Sequence, residues 1–205
     1  MFLESGHTLP LNTKLSAEEG ELLIDPTPYR SIVGKLNFLT NTRPDLSYSV
    51  QTLNQFMQKP RTSHWEALLH TLNYIHSTSG QGIVLKGNTK LTLQAYSDSD
   101  WGACTDTRRS VSGYILLLGN SLIIWRSKKQ HVVSRSSSEA EYRAMANAAS
   151  EVTWVVRILT DLGLHNIEPV TLHCDNMSAI HIAKNPVFHD RTKHIEVDCH
   201  FIEIK

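Results

Sequence analysis

The chain has 205 residues, 40% of them hydrophobic and 20% charged, a balance that excludes the disordered class and leaves room for one ordinary domain plus a smaller one. Twenty basic side chains cancel twenty acidic ones, so net charge alone gives no support to nucleic-acid binding. No apolar run approaches the roughly 20 residues of a membrane helix, and the opening Met1-Phe-Leu-Glu-Ser-Gly-His7 lacks the basic and apolar regions of a signal peptide.

Residues 1–27 are polar, without periodicity, and predict an extended arm. Three short amphipathic helices follow. Pro28 opens the first, whose apolar face is Tyr29, Ile32, Val33, Leu36 and Leu39. Pro44 opens the second, with Leu46, Val50, Leu53, Phe56 and Met57 on one side. Ser63 is read as the N-cap of the third, with Glu66 at N3 and Trp65, Leu68, Leu69, Leu72 and Ile75 inward. Together they predict a small helical bundle over residues 28–80, and Ser77-Thr-Ser-Gly-Gln-Gly82 marks a boundary.

Beyond it the period shifts towards two. Strands are expected at 83–85, 91–96, 113–118 and 122–125, the last two joined as a hairpin across Gly119-Asn120. A long helix is expected over 138–162. Ser138-Glu-Ala-Glu141 has capping-box spacing, Met145, Ala148, Val152, Val155, Leu159 and Leu162 form its apolar stripe, and Gly163 stops it. A fifth strand at 170–174, a short helix at 178–184 and a helical face of Ile195, Cys199 and Ile202 complete an α/β pattern of mixed sheet and flanking helices.

Three carboxylates stand at the ends of these elements. Asp98 and Asp175 end strands, and Glu141 lies near the start of the long helix. Neighbouring strands with the helix packed on them would bring three anions to one sheet edge. Two unit charges about 4 Å apart repel by roughly 4 kcal/mol at an effective dielectric near 20, so the cluster calls for a cation or protons. Three acids without thiolate or imidazole partners suit a hard, oxygen-seeking ion. Taken singly, each has a structural explanation, since strand-end Asp residues serve turns and a Glu at N3 serves a cap. Asp100 and Glu139 are near duplicates of Asp98 and Glu141 and are set aside. Arg108, Arg109, Arg126, Lys128, Lys129 and Arg135, against the single acid Asp106, form a basic stripe suited to phosphates or to an ordinary solvated edge. The cysteines, Cys104, Cys174 and Cys199, are odd in number and form no CxxC pair, which predicts free, mostly structural thiols in a reducing compartment. His173, His181, His189, His194 and His200, with Cys174 and Cys199, match no standard zinc spacing.

The order strand-Asp, hairpin, helix-Glu, strand-Asp resembles ribonuclease H as found in copia-type LTR retrotransposon polyproteins. The segments that carry the resemblance are Tyr96-Ser-Asp-Ser-Asp-Trp101, Asp106-Thr-Arg-Arg-Ser-Val-Ser-Gly-Tyr114, Trp125-Arg-Ser-Lys-Lys-Gln130, Ser136-Ser-Ser-Glu-Ala-Glu-Tyr-Arg-Ala-Met145, Cys174-Asp-Asn-Met-Ser-Ala179 and Arg191-Thr-Lys-His-Ile-Glu196. Upstream, Tyr29-Arg-Ser-Ile-Val-Gly-Lys-Leu36, Thr42-Arg-Pro-Asp-Leu-Ser-Tyr48 and His64-Trp65 resemble the segment that joins reverse transcriptase to its ribonuclease H. The resemblance covers almost the whole chain.

It implies a ribonuclease H-like mixed sheet over 81–205, preceded by a reverse-transcriptase connection segment over 28–80. It further implies that Asp98, Glu141 and Asp175 hold two magnesium or manganese ions, which cut the RNA strand of an RNA–DNA hybrid. Arg108, Arg109, Lys128 and Lys129 would contact the nucleic acid, and the other partner would be the rest of the polyprotein, with no membrane involved. The expected place is intracellular, in cytoplasmic virus-like particles or the nucleus. The paired-aspartate motif of reverse transcriptase, Tyr-x-Asp-Asp, is absent from the chain, so DNA synthesis is not expected of it. In the family a further strand and a helix bearing a fourth metal-binding aspartate follow the segment around Lys193-His-Ile-Glu196. The expected domain is therefore C-terminally incomplete, with Glu196 and Asp198 unsuited to replace the missing acid and Glu203 standing where the family has arginine. Impaired cleavage is the expectation; the alternative is an inactive retroelement remnant that at most binds nucleic acid.

Overall fold

Apolar residues three and four apart build the first part of the chain in the computed structural model, which describes residues 7–10, 14–87, 91–165, 167 and 169–184. Helix α1 spans Thr27–Leu39 and buries Tyr29, Val33 and Leu36, with Pro28 in its first turn, where no intrahelical N–H is needed. A 3-10 turn, Pro44–Leu46, runs into α2, Ser47–Asn54, which buries Val50 and Leu53. Helix α3, Thr62–Ser77, adds Ala67 and Leu68 to the same core. The Tyr29 hydroxyl donates to the Leu53 carbonyl at 2.8 Å, so the one polar atom of that buried ring is satisfied.

Helix α3 does not begin as its sequence suggests. Its N-cap is Arg61, whose backbone N–H donates to Nδ1 of His64 at 3.0 Å, while the other ring nitrogen meets the Ser16 carbonyl at 3.0 Å. The ring is buried and stacks on Phe56 with centroids 3.8 Å apart. Ser63, expected as the cap, instead donates its hydroxyl to the Glu19 carbonyl. An imidazole that both caps the helix and fills the core replaces the Ser63–Glu66 pair.

The chain falls into two units, the first being Met1–Ile83 with Cys104–Thr107 and the second Val84–Ala103 with Arg108–Lys205. In the second, β1 (Leu93–Asp100), β2 (Val111–Leu118), β3 (Ser121–Lys129) and β4 (Thr171–His173) form one sheet in the order β3-β2-β1-β4. Strand β1 is antiparallel to β2 and parallel to β4, and β2 is antiparallel to β3. The β2–β3 hairpin turns at Gly119, whose φ of 60° suits glycine. Residues 83–85, expected as a strand, form none. Val84 and Leu85 are each 67% exposed, and the adjoining Lys86 is tied by its backbone N–H to the Ser121 hydroxyl.

Helix α4, Ser137–Asp161, covers one face of the sheet. Its Ala148, Val155 and Leu159 pack with Leu93, Ala95, Tyr114 and Leu116. Leu162, placed on the stripe by its spacing, lies past the helix end and is 72% exposed. Gly163, at φ 85°, ends the helix. Helix α5, Met177–Lys184, packs Ala179 and Ala183 against Tyr142, Met145 and Ala146 of α4. This mixed sheet with flanking helices is the ribonuclease H-like α/β arrangement. No helix among the described residues is long and apolar enough to cross a membrane. The helical face expected at Ile195, Cys199 and Ile202 lies outside the described residues, as do His189, His194, His200, Glu196, Asp198 and Glu203.

Candidate metal centre

Parallel pairing of β1 with β4 sets Gln94 beside Thr171, Ala95 beside Leu172 and Tyr96 beside His173. Carried two residues further, the same register brings Asp98 level with Asp175. Helix α4 supplies the third acid. Glu141 is 6% exposed, and its Oε1 accepts the Ser99 backbone N–H at 3.1 Å, which ties the helix to β1 one residue past Asp98. Burial pushes the Glu141 carboxyl up to about 7; the charges of Asp98 and Asp175 and a hydrogen bond with Asp98 act in the same direction, against the Ser99 N–H. Near neutral pH Glu141 is therefore partly protonated, and a cation would offset the same charge.

The capping chemistry explains why Glu141 is free for this. Ser136 is the N-cap, its hydroxyl accepting the Glu139 N–H at 3.2 Å. Glu139 reaches back to the Arg135 N–H at 2.9 Å and pairs with Arg143 at 3.2 Å. The capping pair is thus Ser136 and Glu139, the latter accepting from Arg135 rather than from the N-cap N–H; it lies two residues before the Ser138–Glu141 pair expected from spacing, and Glu139 is occupied with the helix start. Asp100 is exposed at the end of β1, opposite Val111.

One neighbour corrects the expectation of an all-oxygen environment. The Cys174 thiol lies 3.9 Å from Oε2 of Glu141, and donor atoms of Glu141, Cys174 and Asp175 all lie within 4.8 Å of one another. Asp98 joins this cluster through Glu141. Burial and the surrounding carboxylates push the Cys174 thiol up, which favours its neutral form. An imidazole is also close in register, since His173 stacks on Tyr96 with centroids 4.5 Å apart.

Gln130 is a positioning residue that spacing does not reveal. Its side-chain amide donates to the Ser112 hydroxyl at 2.8 Å and to the Ala140 carbonyl at 2.9 Å, while its oxygen accepts the Ser134 hydroxyl at 2.8 Å. This buried network fastens the end of β3 to the residue before Glu141. The only sequence signal was its place at the end of Trp125-Arg-Ser-Lys-Lys-Gln130.

The basic residues divide. Asp98, Gly113 and Ser127 share one row of the sheet, Ser99, Ser112 and Lys128 the next, and Asp100, Val111 and Lys129 the one after. Lys128 and Lys129 thus lie at the same sheet end as the acids, about 10 Å away across two strand spacings. Arg109 precedes Ser110, whose carbonyl accepts the Gln130 N–H, so it belongs to this end as well. Arg108 is exposed in the β1–β2 loop at a left-handed φ of 55°. Arg126 faces Tyr114, on the side covered by α4.

No protein-family model and no solved structure matches the chain. The Pol polyproteins of the Arabidopsis thaliana transposons RE2 and RE1 are each 50% identical to it over 189 residues, 92% of this chain. That of the Nicotiana tabacum transposon TNT 1-94 is 39% identical over 176 residues, 85% of this chain. The chain spans 13% of the length of each of these relatives. By these identities, and with the sheet and carboxylate order just described, the chain belongs to the Pol polyprotein family of copia-type retrotransposons.

Proposed function

We propose that the second unit is a ribonuclease H that hydrolyses the RNA strand of an RNA–DNA hybrid. The observation that carries this reading is the meeting of Asp98, Glu141 and Asp175 near the ends of two parallel strands, where burial, reinforced by the neighbouring carboxylates, pushes Glu141 up to about 7. The donor set fits magnesium or manganese, whose oxygen preference three carboxylates satisfy. Divalent ions bound there supply an activated water and stabilise the leaving oxygen of the cut phosphodiester. Asp98 presents its carboxylate from an exposed strand position, open to substrate and solvent. Glu141 is held by the Ser99 N–H, so its second oxygen is oriented towards Cys174 and Asp175. Lys128, Lys129 and Arg109 lie at the same end of the sheet and suit the phosphates of the duplex, with exposed Arg108 as a further contact from the loop. The rest of the polyprotein is the natural partner of this segment.

The test is cleavage of a hybrid labelled on its RNA strand. The expected result is cutting that requires magnesium or manganese and falls at least about 100-fold in Asp98→Asn, the loss of a few kcal/mol of transition-state stabilisation. Equal cleavage by parent and variant would refute the site assignment. Hybrid binding without any metal-dependent cutting would mean that the segment is a nucleic-acid-binding module.

A further inference from the structure

We propose that the same site has a second mode, in which Glu141, Cys174 and Asp175 take a thiophilic divalent cation of the zinc class and thereby exclude the hard ions. This inference names a regulation of the site and rests on the reading of it as a divalent-ion centre.

The argument begins with the donors. A zinc ion bound tetrahedrally, with a sulfur at about 2.3 Å and oxygens at about 2.0–2.2 Å, needs its ligand atoms roughly 3.3–3.7 Å apart. The Cys174 sulfur is already 3.9 Å from Oε2 of Glu141, and no pair in the trio exceeds 4.8 Å. Closing the set needs side-chain shifts of about 1 Å or less, smaller than a change of rotamer. The backbone that carries two of the three donors is adjacent in sequence at the end of β4, and the third is fixed to β1 through the Ser99 N–H. Cys174 is half-covered and packs against the cluster of Tyr142, Met145, Ala146, Ala179 and Ala183, and its sulfur lies 3.9 Å from the Glu141 carboxylate.

Chemistry then separates the two modes. A thiolate adds little for magnesium, which prefers oxygen and retains its waters, whereas it is a preferred ligand of zinc and cadmium. On binding, the thiol proton is released to solvent. The two modes share Glu141 and Asp175, so they compete. This donor set differs from the histidine-rich pattern of the sequence, which matches no zinc spacing.

The test uses the whole chain with cadmium as the spectroscopic probe for this ion class. Titration should produce the ultraviolet charge-transfer absorption of a cadmium–thiolate bond, saturating at one ion per chain and reversed by zinc. Cys174→Ser should abolish the absorption, and Asp175→Asn should weaken the affinity at least about 10-fold. A chain with Cys104→Ser and Cys199→Ser, in which Cys174 is the remaining thiol, should keep it in full; its loss would overturn the proposal. An absorption of equal strength in Cys174→Ser, or one indifferent to Asp175→Asn, would overturn it as well. These readouts need no substrate. Cys174-dependent cadmium binding without hybrid cleavage would leave this inference standing and the ribonuclease reading refuted, and magnesium-dependent cleavage without it would do the reverse.

Discussion

Glu141 concentrates the electrostatic conflict of the site in one side chain. Burial and the charges of Asp98 and Asp175 disfavour its anion, so it titrates near 7 in the folded chain, against about 4.3 for an unperturbed glutamate. Between those values the native state holds more protons than the unfolded one. The stability linked to this group is therefore fully present at low pH and is lost as the pH rises through about 7. Glu141→Gln keeps an acceptor for the Ser99 N–H and removes the charge. Without metal, this variant should exceed the parent in stability by about 1–3 kcal/mol at pH 8, with the gap closing towards pH 5. Urea unfolding across that range measures the effect, and a variant no more stable than the parent at pH 8 would show that neither burial nor the neighbouring carboxylates disfavour the Glu141 anion. In the parent, affinity for magnesium should rise through the same interval, because the ion and the proton compete for one carboxylate.

At the scale of elements, the helix starts show what spacing reveals and what it hides. Both α3 and α4 have their N-caps two residues before the Ser63 and Ser138 that spacing selects, so the pattern finds the region of a helix start, where N–H partners are locally short, and misses the cap itself. Which side chain does the capping depends on tertiary surroundings. Ser136 and Ser138 offer the same hydroxyl, and Glu139 and Glu141 the same carboxylate, in the run Ser136-Ser-Ser-Glu-Ala-Glu141. Only the packing of α4 on β1 decides that Glu139 serves the cap and Glu141 the site. Likewise, nothing local announces that the His64 ring would cap α3 from within the core. The assignment for α4 is testable with two single changes. Ser136→Ala should cost about 1 kcal/mol of stability and Ser138→Ala less than about 0.5 kcal/mol. The opposite order in thermal or urea unfolding would restore the cap expected from spacing.

The molecule as a whole was legible in proportion to how local each feature is. The three apolar helix faces, the glycine hairpin and the long amphipathic helix follow from periods of 3.6 and 2, and they produced most of the first core and of the sheet; Leu69, expected inward, is 42% exposed, and the strand expected at 83–85 does not form. The three candidate carboxylates were legible because each lies close to the end of an element, although Asp98 is inside β1, which runs on to Asp100, Asp175 follows the last residue of β4 by two, and Glu141 is in the second turn of α4. Cys174 and Gln130 were not, since their roles depend on distances across the sheet that no spacing encodes. The same division predicts where ligand energy goes. Each unit has its own buried cluster, Tyr29, Leu46, Leu53 and Leu68 in one and Leu93, Ala95, Leu116 and Ala148 in the other. All candidate ligands belong to the second unit, so an ion that binds only its folded form should stabilise that core and leave the first unchanged. At 100 times its dissociation constant the ion contributes about 2.7 kcal/mol, a slowing of exchange by about 100-fold for amides that open only on global unfolding of the unit. Hydrogen exchange with and without magnesium should therefore show strong added protection in β1, β4 and α4 and none in α1, α2 or α3. Equal protection in both sets would mean that the chain unfolds as one cooperative body, and no added protection anywhere would mean that the carboxylates hold no ion.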